Sequence, residues 1–288
     1  MHAALNILSN PIIKNRVLIS SLPAILLLAG AVNGFVVRII EAWQLSGTSA
    51  IFFGISPFEL IAIAVAGVLY HEAGEKTETL PGPGEYIFLI ALLVPSSTVS
   101  WLATFLYAIF HAARSKSNEQ NAALLFAALS ICSIWSSVIM KSIAVPVTNL
   151  EASIVWHAIS YLRDDLMLNG NIIGIPDGHR IVLLIACTAL YGLPKAALGY
   201  AAISLYLGNS KAKSLLAGLS ATIIFYAAAN LVRLIAMTWS EEAFHIAHGA
   251  IGANIFDGLT TAAIFAIAFL VCELKGPSPS PTEHRRHA

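Results

Sequence analysis

Arg180 to Leu207 reads RIVLLIACTALYGLPKAALGYAAISLYL, an apolar stretch long enough to cross a bilayer. Cys187 stands seven residues in from its charged end, followed by Thr188 and Ala189. At about 1.5 Å per helical residue, the thiol is expected roughly 10 Å below that end. Two later stretches bring polar groups to the same expected depth. Asn230 and Arg233 stand near the end of one apolar run, and His248 stands at the start of the last.

The rest of the chain fits this membrane reading. Of 288 residues, 57% are hydrophobic and 11% charged, with a mean hydropathy of +0.77. A soluble domain carries about 25% charged residues. Lipid leaves backbone groups no partner but each other, which restricts spans to helices or closed barrels, and runs of this length favour helices. Apolar runs fall at about 17–37, 51–70, 86–110 (with a kink at Pro95), 121–145, 181–207, 214–237 and 249–272. Sixteen basic and sixteen acidic residues cancel, which argues against a nucleic-acid partner. Cys132, Cys187 and Cys272 fall in separate runs, so no disulfide framework is expected. The N-terminus lacks the basic start and cleavage site of a signal peptide, which leaves the first span as the expected targeting element.

Residues 146–179 differ. Leu150, Ile154, Ala158 and Tyr161 recur at helical spacing ahead of Arg163, Asp164 and Asp165, which predicts an interfacial helix over 150–166 at the outer surface. NGNIIGIPDGH reads as a turn-rich loop. Thr238 and Glu241 have capping-box spacing, so a helix is expected to begin there and run through His248 into the last span. Lys195 is expected near mid-membrane with Asp257 as its counter-charge.

With Lys211 and Lys213 on the cytoplasmic side, Cys187, Arg233 and His248 fall near the outer face. Arg38, Arg114 and Lys116 then lie inside, as the positive-inside rule asks, but Lys14 and Arg16 lie outside. An eighth element within residues 1–50 would repair this. The expected fold is all-α: a polytopic membrane bundle of seven or eight transmembrane helices and one outer interfacial helix. Residues 1–277 are read as one domain, and 278–288 as a disordered cytoplasmic tail.

Taken singly, these residues have ordinary explanations. A Cys in a helix core is often only a small hydrophobe. Arg233 is close enough to Thr238 to snorkel to the interface. His245 and His248 are spaced i, i+3, but nothing completes a metal site, and HEAGE at 71–75 is not HExxH; no metal and no cofactor is expected.

Together they carry a resemblance. GNIIGIPDGHRIVLLIACTAL, AANLVRLIAM and HGAIGANIF resemble the exosortase/archaeosortase family of membrane-embedded protein-sorting enzymes. The shared features are Ala186–Cys187–Thr188, Asn230 with Arg233, and His248 with Gly252, over residues 146–272. Ala189 stands where the family usually has Gly. The resemblance implies a cysteine transpeptidase or protease of the inner (cytoplasmic) membrane with its site facing outside. Its substrates would be exported proteins with a C-terminal sorting signal: a motif, one transmembrane helix and a basic tail. A lipid or glycan would be the acceptor. Cys187 would be the nucleophile, His248 the acid and base, and Arg233 the oxyanion partner, with Asn230 and Thr188 binding substrate. The alternative is a non-catalytic transporter or scaffold with a polar path lined by Arg233 and Asn230.

Overall fold

A computed structural model describes residues 22–46, 55–73, 82–209 and 212–273. They are mostly helical and form two compact units, divided after Val138. The expected disordered tail at 278–288 lies outside the described residues, as do Lys14, Arg16 and Lys211.

The first unit holds α1 (Leu22–Ser46), α2 (Pro57–Glu72), α3 (Pro83–Leu92), α4 (Ser97–Arg114) and most of α5 (Ser117–Ser142). The expected kink at Pro95 is a full break. α3 stops at Leu92, and Ser96 caps α4 by accepting the Val99 N–H. Proline cannot donate its amide and drives the preceding residue out of helical conformation. α2 opens with a capping box: the Ser56 hydroxyl accepts the Phe58 N–H, and Glu59 accepts the Ser56 N–H at 2.7 Å. Glu59 is fully buried and also receives Arg38 of α1 through two contacts of 3.2 and 3.1 Å. α1 meets α4 closely, since a β-carbon at Gly34 would collide with the buried Trp101 indole.

The second unit holds α6 (Ala144–Ser160), strands β1 (Met167–Asn169), β2 (Ile172–Gly174) and β3 (Arg180–Val182), then α7 (Ala189–Tyr206), α8 (Ala212–Trp239), α9 (Glu241–His248) and α10 (Ala250–Glu273). Here the all-α expectation needs correcting. The turn-rich stretch is an antiparallel three-stranded sheet ordered β1-β2-β3. Gly170 takes a φ of 61° in the β1–β2 hairpin, and a β-carbon at Gly174 would collide with the His179 carbonyl. The sheet is stable because Ile173, Ile181 and Leu183 are buried against Ala152 and Val155 of α6 and Leu234 and Met237 of α8.

The run expected as one helix over 181–207 is likewise divided. β3 is followed by a 3-10 turn (Ile185–Cys187), and helix begins only at Ala189. Cys187 therefore lies on the turn that enters the helix, not about two turns inside it. α6 spans 144–160 rather than 150–166, and its predicted stripe is turned outward. Leu150, Ile154 and Tyr161 are exposed, while Thr148, Ala152, Val155 and Ile159 are buried. Both faces of α6 are apolar, one against protein and one outward. The helix before His248 is capped by Ser240, whose hydroxyl accepts the Ala243 N–H. Thr238 instead donates to Ile235 O, so the chain turns between α8 and α9, and it breaks again at Gly249 before α10.

Among the described residues, four helices are long and apolar enough to cross a membrane: 22–40, 117–142, 212–239 and 251–273. Only 17% of the most apolar window is buried in each of the last two, so most of that apolar surface faces outward, as a lipid-facing helix requires.

Arg38→Ala should lower stability by about 3–5 kcal/mol, because it strands a buried carboxylate. Thermal unfolding of the detergent-solubilised protein measures this. An unchanged Tm would show that the Arg38–Glu59 pair does not hold α1 to α2.

Candidate active site

The turn that carries Cys187 is held from several sides. Its own N–H donates to Leu184 O at 2.9 Å, and the Thr188 N–H donates to Ile185 O at 3.1 Å. Asn230 of α8 is 3% exposed, and its Nδ2 donates to the Cys187 carbonyl oxygen at 3.0 Å. Asn230, expected to hold substrate, therefore holds the backbone of Cys187. Thr188 is buried, and its hydroxyl donates to Ile185 O at 2.7 Å, so this second expected substrate contact is also used on the turn itself.

One helical turn beyond Asn230, Arg233 Nε donates to Ala247 O at 3.2 Å, and the guanidinium lies over the Phe256 ring at 4.9 Å. Its charge reaches the thiol. Burial pushes the Cys187 thiol above its usual range, and the positive charge of Arg233 opposes that rise. Snorkelling does not describe this residue, whose guanidinium is tied to α9 and α10.

His248 is placed differently. It ends α9, is exposed, and stacks on Phe244 with centroids 4.9 Å apart. Phe244 and Ala247 pack against the core that Cys187 also touches. Among the described residues, no hydrogen bond links the His248 imidazole to Cys187 or Arg233. The structure thus brings Cys187, Thr188, Asn230 and Arg233 together and leaves His248 at the edge of the group. Gly252, four residues on, fits a tight junction, since a β-carbon there would collide with the Ile246 carbonyl.

Lys195 and Asp257 do not form the expected contact pair. Lys195 Nζ sits over the Tyr191 ring at 5.4 Å. Asp257 instead lies within electrostatic reach of both Lys195 and Arg233, so these charges belong to one neighbourhood.

Two residues outside the sequence reading matter here. Glu151 of α6 accepts the Ala189 N–H at 2.9 Å and the Leu190 N–H at 3.2 Å. His179 Nε2 lies 3.0 Å from Met237 O and ties the sheet to α8. The sequence signal for Glu151 is a lone carboxylate inside an otherwise apolar helical period, beside the apolar stripe of the same helix.

Beside this turn lies a cavity of about 330 Å³, lined by Leu150, Ile154, Leu193, Leu231 and other apolar side chains. Glu151, Asn230 and Ala189 supply its wall nearest Cys187. Among the described residues, no three His, Cys, Asp or Glu side chains gather as a metal site. No family model matches the chain, and neither the curated proteins nor the solved structures contain a match to it.

The placement of Arg233 predicts a direction. Alkylation of Cys187 should follow a titration displaced above that of a free thiol. Arg233→Gln, which removes the opposing charge, should move it to still higher pH. Iodoacetamide labelling read by peptide mass spectrometry across a pH series checks this; a shift to lower pH would remove Arg233 from the surroundings of the thiol.

Proposed function

We propose that the protein is a membrane-embedded cysteine transpeptidase or protease resembling the exosortases and archaeosortases. It would cleave a C-terminal sorting signal from exported proteins at the outer face of the inner membrane. The observation that supports this most directly is the pairing on α8. Asn230 fixes the backbone of Cys187, while Arg233, one turn further, brings a cation within reach of the thiol. The apolar cavity beside the turn suits the apolar segment such a signal contains.

The chemistry then runs in two steps. His248 takes the thiol proton as the Cys187 sulfur attacks the scissile carbonyl carbon, a C–S bond forms, and the carbonyl electron pair moves to oxygen. Arg233 stabilises that oxyanion. Its collapse breaks the C–N bond, and the amine leaves with a proton delivered by His248. A hydroxyl or amine of the lipid or glycan acceptor, or water, attacks the thioester and breaks the C–S bond; His248 takes the proton of the attacking group and returns it to the Cys187 sulfur, restoring the thiol. These transfers would require a closer approach of His248 to the thiol, since no hydrogen bond joins the two among the described residues.

The topology proposed is of seven or eight spans. α2, the α3–α4 pair and α7 would join the four longest helices, with α6 lying at the outer interface. The outward apolar stripe of α6 supports that placement.

Lys195, Arg233 and Asp257 lie near one another within apolar helices, which is the observation favouring the second reading, a polar path. The two readings separate on substitution. Cys187→Ala should abolish processing of a sorting-signal substrate without lowering protein level. Arg233→Lys should be severely impaired, because a lysine keeps the charge but not the planar fork. His248→Ala should lose about 10²–10⁴-fold through proton transfer. The three losses should not add. Processing at the unmodified rate in Cys187→Ala would end the enzyme reading and leave the polar path.

Placement of α6 is tested by labelling. Cysteines at Ser153 or Ser160 should react with an impermeant maleimide added outside intact cells. Reaction only after the inner face is exposed would invert the topology.

A further inference from the structure

Glu151 is 9% exposed and has no part in the chemistry above. It stands on α6, 38 residues from Ala189, yet both its oxygens close on the start of α7. The first N–H groups of any helix lack partners within the helix. Thr188 occupies the capping position of α7 but gives its hydroxyl to Ile185 O, so it supplies no cap. A carboxylate from another helix takes that place, two and three residues after Cys187. Asn230 holds the Cys187 carbonyl from α8. The thiol is therefore carried on a turn gripped from α6 on one side and α8 on the other.

We propose that Glu151 is a positioning residue for Cys187: by holding the Ala189 and Leu190 amides, its carboxylate fixes the turn that carries the thiol. This rests on the reading of Cys187 as the nucleophile. Glu151 is close enough to act on the thiol by charge as well. Its carboxylate reinforces the rise caused by burial, against Arg233. Among the described residues, Arg233 and Glu151 are the charges that reach the thiol; Tyr226 from α8 lies within electrostatic reach of both, Asp257 from α10 connects to the group through Arg233, and Lys195 from α7 through Asp257.

The test uses full-length protein in detergent micelles and iodoacetamide as the probe. Modification of Cys187 is followed by peptide mass spectrometry across a pH series, with Tm measured alongside. Glu151→Gln retains an acceptor oxygen but no charge, and should move the Cys187 titration to lower pH. Glu151→Ala should move it the same way and raise the rate below the inflection, since both variants remove the opposing negative charge. Hydrogen exchange at Ala189 and Leu190 should quicken in Glu151→Ala. A role in packing alone would lower Tm and leave the Cys187 titration where it is; that result overturns the proposal. If Glu151→Ala does not fold, the near-isosteric Glu151→Gln decides by the same criterion. The nucleophile reading fails separately, through active Cys187→Ala, and in that event a displaced titration in Glu151→Gln would still show that Glu151 sets the surroundings of this thiol.

Discussion

A helix that begins among apolar side chains must find acceptors for its first amides, because lipid offers none and a buried unmet amide is costly. α7 begins that way. Its own capping residue is turned to another carbonyl, and the acceptor comes from α6. Much of the second unit follows from this constraint. α6 must approach α7 closely enough for a glutamate to reach across, and the sheet fills the space between the end of α6 and the start of α7. Ile173 and Ile181 then pack against Ala152 and Val155 on the same helix that carries Glu151. Without the sheet, the Ala152 and Val155 side of α6 would lose the cover of Ile173, Ile181 and Leu183.

The parts of this fold that could be read from sequence were those written in local chemistry. Long apolar runs mark α1, α5, α8 and α10, because twenty apolar residues in sequence have few other uses. Pro95 announced an interruption, and the interruption is there. The sheet was not legible, since each strand is three residues long, too short for any alternation to stand out. Gly170 and Gly174 have the composition of a loop, but one makes the hairpin turn and the other a close strand approach. The stripe on α6 was found, but hydrophobicity alone does not say whether an apolar face meets protein or lipid. The exposed Leu150 and buried Val155 differ in environment and not in kind.

The site shows the same division. Asn230 and Arg233 stand one turn apart on one helix, so their joint approach to a common partner could be expected from spacing. The identity of that partner could not. Asn230 meets the carbonyl of Cys187, a backbone group with no side-chain signature. Depth counted along a continuous helix placed Cys187 well inside the span, but the 3-10 turn moves it to the entrance. The same counting does not reach His248, because the helix break at Ser240 stands between it and Arg233 and no fixed rise per residue relates them.

The use made of Asn230 also bears on what the polar groups of α8 are for. A residue lining a path for ions or solutes presents its donors to the path, and its value lies in being free to exchange partners. Asn230 is almost fully buried and commits its amide to a backbone oxygen of the turn that bears a cysteine. Arg233 is similarly committed, to a carbonyl of α9 and an aromatic face of α10. Groups bound in this way hold a shape. The shape they hold fixes the turn that carries a thiol, with a cation within electrostatic reach, as the proposed acyl transfer would need. Transport would require those same groups to let go.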